Sequence, residues 1–299
     1  MARTDFTEAN GYILEEQGSV VIQDLIANSA VEGFARQEPM ASRTKSVPRF
    51  VADAPEIVAE GASIPEASAT LDEIVLTARK YAKIMHVSEE DLNDNLVDVL
   101  TTYRREWASR WARKFDNACL GVSVAEDGTD TAPYRSLYRA MQQAPFITEN
   151  LITTGGALSF DDINNALSVV ENSSKFDAAN TVWMAHPKML KEIRGMVKPD
   201  NDLVLPDPIA GTPGSLFGYP LVVSYGAAVS TAASASPAGN PLLIVGNRQM
   251  LVNGVRGGLE SAVSRDAEFT KDGVLLKLRI RRGFQVADVD AFSIIEKTA

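Results

Sequence analysis

The chain has 299 residues, 45% hydrophobic and 23% charged, with a net charge of −10; that suits one large domain or two medium ones with an ordinary core. An acidic total argues against nucleic-acid binding by bulk charge, and in a many-copy assembly it makes neighbours repel and assembly salt-sensitive. One cysteine excludes an internal disulfide framework, no run nears the roughly 20 apolar residues of a membrane span, and the start MARTDFTEANGYILEE has no basic-then-apolar leader pattern, so a reducing cytosol fits.

Residues 1–43 read as an amphipathic arm. Val20, Val21, Leu25 and Ile26 suit a short helix that breaks before Pro39. Residues 44–87 read as a long two-stranded hairpin with its turn in EGASIPEAS, Glu60 to Ser68. Each flank could reach about 45 Å at roughly 3.3 Å per residue. A lone hairpin is marginal in water. The economical cover for it is a second copy of the chain, which points to an assembly and away from a catalyst.

The strongest helix expectation covers residues 88–120. Ser88-Glu89-Glu90-Asp91 has the form of a capping box, with acids at the positive end of the helix dipole. Leu92, Leu96, Val99, Tyr103, Trp107, Trp111, Phe115 and Ala118 recur every three or four residues, and Gly121 stands at the expected stop. Unbroken, the helix is about 50 Å long. Arg104, Arg105, Arg110, Arg113 and Lys114 crowd its second half. They form either a solvated face with dipole compensation or a contact for a neighbour's acidic arm (Glu56, Glu60, Glu66) or for packaged nucleic acid.

A loop, VAEDGTDTAP, precedes a second capped helix opening at Ser159 with Asp162 three later. Thr181 to Ala185 reads as a buried strand and Pro187 as the first residue of a short helix. Residues 198–215 hold four prolines and read as loop, LFGYPLVVSYG as a strand after a turn, GAAVSTAASASPAGNP as loop and PLLIVGN as a short buried strand. The tail from Gly258 has three or four strands, with Val274, Leu276, Leu278 and Ile280 facing one way and Lys277, Arg279 and Arg281 the other. No repeat is visible. The class is α+β, with one alternating βα patch over 159–246.

Catalytic motifs are missing. His86 and His186 belong to no metal-spaced set, and no serine-hydrolase elbow, phosphate loop or dinucleotide glycine spacing exists. Asp91 to Asn95 starts like a calcium loop but has Leu96 where glycine is required. Asp161 and Asp162 sit where a helix start wants acids, Trp107, Trp111 and Phe115 are core at helical spacing, and Cys119 suits a buried slot. No catalytic residue, cofactor or metal is expected.

The order of parts resembles the major capsid protein family of tailed bacteriophages, with its Hong Kong 97-type fold. The stretch VPRFVADAPEIVAEGASIPEASATLDEIVLTARKYAKIMHVSEEDLND is similar to that family's extended loop and helix entry. WASRWARKFDNACLG looks like the end of its spine helix, TVWMAHPKMLKEIRG and LFGYPLVVS like axial-domain signatures, and GGLESAVSRDAEFTKDGVLLKLRIRRGFQVADVDAFSII like its closing strands. Together they span residues 10–297. The resemblance implies a spine helix and peripheral domain over 88–150, an axial domain over 151–250 and peripheral strands over 251–299. It implies pentamers and hexamers in an icosahedral virion shell around double-stranded DNA, assembled in the host cytoplasm, with no sequence-specific DNA contact. Some family members weld subunits by an isopeptide bond from a loop lysine. Here no lysine lies between Ser46 and Arg79, so no such weld is expected. Little chain precedes the arm, so a separate scaffolding protein, or none, is implied; portal and cement proteins are further partners. Two alternatives stay open: an encapsulin-like bacterial compartment shell around a protein cargo, and an enzyme using Asp161, Asp162 or His186.

Overall fold

The computed structural model describes residues 29–51, 57–58, 60–61, 63, 70–90, 99–196, 214–268 and 272–298. The expected helix over Val20–Ile26, the acids Glu56 and Glu66, most of the arm's turn, helix positions 91–98 and nearly all of the 198–215 loop lie outside them. In chain order come α1 (Ala30–Phe34), β1 (Arg36–Pro39), β2 (Thr44–Val51), β3 (Thr70–Thr77), β4 (Arg79–Ser88) and the long α2 (Val99–Leu120). Then follow α3 (Leu137–Met141), α4 (Phe146–Glu149), β5 (Leu151–Thr154), α5 (Phe160–Asn172), β6 (Thr181–Ala185), α6 (Pro187–Gly195), β7 (Ser215–Leu216) and β8 (Tyr219–Val223). β9 (Leu242–Asn247), a 3₁₀ turn (Arg248–Met250), β10 (Leu251–Val255), β11 (Glu260–Glu268), β12 (Gly273–Val286) and β13 (Phe292–Lys297) complete the described chain.

The arm is shorter than the alternation suggested. β2 and β3 pair antiparallel from Thr44↔Thr77 to Val51↔Thr70. The return strand then leaves the hairpin at buried Ala78, whose amide donates to the Arg43 carbonyl at 2.8 Å. From Arg79 it runs as β4 beside β12, pairing from Arg79↔Arg282 to Ser88↔Gly273. Thr70 to Ser88 reads as one alternating run, but its second half buries Val87 in another sheet. His86, Lys80 and Lys83 are therefore sheet residues, not arm residues.

That sheet has five strands, in the order β1-β10-β12-β11 with β4 on the other side of β12. Val274, Leu276, Leu278 and Ile280 of β12 are buried and Lys277 is exposed, as the alternation predicted. The second sheet runs β5-β13-β9-β6-β8-β7 with mixed polarity, and β6-α6-β8 is a parallel crossover. Both faces of its centre are covered, so β6 and β9 are buried at every position. Met184, Ile244 and Ile294 face the core around α2; Trp183, Val245 and Ile295 face Ile163, Leu167 and Val170 of α5 and Met189 and Ile193 of α6. The strands after residue 251 divide between the sheets. β13 lies between β5 and β9, so the grouping of 251–299 as one set of strands beside the long helix does not describe the pairing.

Local signals built the helices as expected. Ser159 and Asp162 close a capping box at the start of α5, and Pro187 opens α6. The α2 stripe is core: Trp107 stacks on Trp111 (6.5 Å between ring centroids), Trp111 on Phe115 (5.2 Å), Tyr81 and Tyr134 meet the row edge-on, and Phe284 meets Tyr134 in turn.

Candidate assembly surfaces

Two polar residues in the buried half of α2 hold distant parts of the chain in place. Asp116 is buried and accepts from the Ser29 hydroxyl, the amides of Ala30 (2.9 Å) and Val31 (3.2 Å), and the Ser224 hydroxyl (2.7 Å). It thereby satisfies orphan amides at the start of α1. Burial raises its carboxyl above the usual carboxylate range, against the lowering effect of these four donors. Asn117 donates to the carbonyls of Gly226 (3.0 Å) and Ala228 (2.8 Å) and accepts from the Ser230 hydroxyl (2.6 Å) and Ser234 amide (3.1 Å). A Cβ on Gly226 would stand 2.4 Å from the Asn117 backbone nitrogen, and one on Gly121 would stand 2.0 Å from the Ala228 backbone oxygen. Gly121 thus ends the helix because another backbone lies against it; its φ is not left-handed. Sequence reasoning passed over Asp116 and Asn117. Their signal was two polar residues beside the apolar stripe of Phe115, Ala118 and Cys119.

The hairpin's base is tied to the body. Arg49 pairs with Asp72 across the hairpin (2.7 Å), donates to the Ala287 carbonyl (2.9 Å) and lies 3.6 Å from Asp288. Leu76 and Ala78 pack with Met40 and Val252 in a small cluster. Beyond the paired strands Ile57 is fully exposed, and nearer the base Val75, opposite Ser46, is 48% exposed. Such apolar residues on a slender projection suit contact with another surface. Glu60 is exposed beside Gly61, whose φ of 81° makes the turn, and among the described residues it forms no ion pair.

The predicted cations on α2 differ in their surroundings. Arg105 is exposed and Arg104 half-buried. Arg110 is exposed and pairs with Glu106 one turn away at 2.6 Å. Lys114 pairs with Asp130, and the Arg113 guanidinium sits 4.7 Å above the Tyr225 ring. Part of the basic run is thus engaged within the chain. Between α2 and β4 lies an open groove lined by Arg79, Lys80, Lys83, Arg110 and Lys114, with Tyr81, Trp107 and Trp111 as its wall.

The residues weighed for chemistry sit in structural positions. Asp161 and Asp162 occupy the first turn of α5. His186 caps α6, its Nδ1 accepting the Lys188 amide at 3.2 Å, and burial with Lys188 nearby lowers it to about 4. Cys119 is buried, and burial pushes its thiol well up. Among the described residues no helix is long and apolar enough to cross a membrane.

Comparison with known proteins agrees with this architecture. The Phage capsid family matches residues 10–297. A probable major capsid protein, gp17 of Mycobacterium phage D29, is 27% identical over 177 residues, covering 58% of this chain and 52% of that protein; its counterpart in Mycobacterium phage L5 is 25% identical over 178 residues. The chain spans about half the length of the curated relatives it matches. Among solved structures, a chain of Mycobacterium phage Bobi superposes with a TM-score of 0.75 at 17% identity, covering 100% of both chains. One of Microbacterium phage Oxtober96 gives 0.72 at 20% identity over 99% of both, and the capsid of the native GTA particle gives 0.69 at 19% over 100% of both. The chain is therefore a member of the Phage capsid family and carries its Hong Kong 97-type, α+β fold.

Proposed function

We propose that the chain is the repeating shell subunit of a tailed-phage head, gathered as pentamers and hexamers around double-stranded DNA. The observation that carries this is the arm: a hairpin fixed to the body at Arg49 and Leu76, with the fully exposed Ile57 beyond. Family membership over residues 10–297 and full-length likeness to capsid chains support the same reading. In this reading α2 and the five-stranded sheet form the peripheral domain, and the six-stranded sheet with α5 and α6 forms the axial domain. Glu56, Glu60 and Glu66 of one arm lie against the basic side of a neighbour's α2, at Arg104, Arg105 and Arg110. Scaffolding, portal and cement proteins are the further partners, DNA is held without sequence specificity, and assembly takes place in the host cytoplasm. The subunit works by burial and interlocking, with no turnover.

Electron microscopy of the protein expressed alone and with the products of neighbouring genes, with nucleic-acid absorbance on the same fractions, tests the proposal. Closed shells or capsomer rings are expected, and DNA inside particles made in the phage's host. Shells holding a protein cargo and no DNA would overturn the phage role in favour of a compartment. A monomer or dimer under all conditions would overturn the shell itself.

A further inference from the structure

The five-stranded sheet turns one face to α2 and the other away from it. On β12, Val274, Leu276, Leu278 and Ile280 are buried, and Arg282 beyond them lies over the Trp111 ring. Leu275, Lys277, Arg279 and Arg281 therefore share the far face. Strand pairing widens that face. Lys80 of β4 stands directly opposite Arg281. On the other side of β12, Val255 pairs with Arg282, and the Arg256 amide donates to the Arg281 carbonyl (3.4 Å), so Arg256 stands opposite Arg281 as well. Three cations thus lie in one row across three strands, with neighbouring Cα atoms about 5 Å apart.

Like charges directly opposite one another on a sheet are destabilising, and no described carboxylate offsets this row. Among the described residues, Lys80, Arg256 and Arg281 form no ion pair. The acids that pairing brings to the same face are engaged elsewhere. Glu260 pairs with Arg279, and Glu38 pairs with Lys45 at 3.0 Å and lies 3.8 Å from Arg36. The chain as a whole carries −10, so composition does not account for this concentration of positive charge. The row is open to solvent, with Lys80 exposed and the two arginines half-buried. It is also bounded along β12. The Arg279–Glu260 pair closes one side, and on the other the base of the hairpin lies over Gly283, where a Cβ would stand 3.2 Å from the Thr77 carbonyl oxygen.

We infer that Lys80, Arg256 and Arg281 form a binding site for a phosphate group, centred on Arg281. Charge and geometry choose the anion. A carboxylate brings one charge and two oxygens to three cations. A phosphate monoester carries about −1.5 to −2 near neutral pH and has three strong acceptor oxygens. An Arg guanidinium takes phosphate bidentately, and one phosphate over Arg281 is within reach of the cation on either side. Two sources carry this chemistry. Three cations around one point favour the dianion of a free or terminal phosphate; the backbone of DNA offers one charge per phosphate.

The test melts the full chain in rising sodium phosphate at neutral pH, with ionic strength held constant by sodium chloride, and in sodium acetate as the carboxylate control. Wild type should show a saturable rise in Tm with phosphate and none with acetate, because a ligand of the folded chain stabilises it by mass action. Arg281→Gln and Lys80→Gln should each weaken the apparent phosphate affinity about tenfold or more, the size of a lost hydrogen bond to a charged group. Lys277→Gln, on the same face but about 13 Å along β12 from Arg281, should leave it unchanged. No phosphate-specific rise in wild type, or a rise that survives both site variants, would overturn the site; so would an equal loss in Lys277→Gln, which would mean general surface charge. If Arg281→Gln fails to fold by circular dichroism, Lys80→Gln at its exposed position carries the same test. A short fluorescent duplex then separates the sources. Duplex binding that phosphate competes away and Lys80→Gln weakens assigns the site to the DNA backbone. Site-dependent phosphate binding with duplex binding absent, or untouched by Lys80→Gln, assigns it to free phosphate.

Discussion

His186 ends β6 and starts α6 with one side chain, and that makes the fold sensitive to acid. Only a neutral imidazole can accept the Lys188 amide at Nδ1. Burial lowers its pKa from 6.5 to about 4, so between those values the unfolded chain binds the proton more readily than the folded one. Stability from this group is complete above pH 6.5 and declines as pH falls toward about 4, by at most about 3 kcal/mol. His186→Asn keeps an oxygen acceptor at the cap and has nothing to titrate. Urea unfolding at pH 7 and pH 4.5 should show wild type losing stability that the variant keeps. Equal losses in both would mean that the acid sensitivity resides elsewhere. Asp116 works in the opposite sense: its folded pKa is raised, so acid does not weaken the fold through that carboxyl.

At the scale of elements, the arm should separate folding from assembly. Its anchoring contacts, Arg49 with Asp72 and Ala287 and Leu76 with Met40, lie at or inside the Val51↔Thr70 end of the hairpin. Deleting Ala54 to Ser68 leaves Ala52, Asp53 and Ala69 to join β2 to β3, a length within the usual two to five residues of a hairpin loop. The subunit should keep its melting temperature within a few degrees and fail to close shells in the electron microscope. Closed shells from the deletion variant would remove the arm from the assembly mechanism. The parts of the fold that were readable in advance share a cause. The α5 capping box, Pro187 at the start of α6 and the β12 alternation are written within a few residues of where they act. The break at Ala78, the seat of β13 between β5 and β9, and the donors around Asp116 depend on partners dozens of residues away in the sequence. Nothing local distinguishes them. Of the candidate site, Arg110 was legible as a cation on a helix, whereas its place in a groove with Arg79, Lys80 and Lys83 requires the pairing of β4 with β12.

For the whole molecule the question is what holds many acidic copies together. A covalent weld from the arm needs an amine near its tip, and no lysine lies between Ser46 and Arg79. Lys45 sits at the hairpin's base, paired with Glu38 at 3.0 Å, and Lys80 and Lys83 belong to β4, alongside β12. None of the three stands at the end that reaches a neighbour. In the proposed shell, buried surface and ion pairs then carry the contact between subunits, against a net charge of −10 on each copy. Long-range repulsion fades once the Debye length falls to about 10 Å near 0.1 M salt, while partly buried pairs are screened much less. Mature particles boiled in denaturant should therefore run as one band at the subunit mass of 32.3 kDa. A ladder of multimers that survives boiling and reduction would show a covalent bond from a residue other than an arm-tip lysine, and noncovalent interlocking would no longer account for the shell.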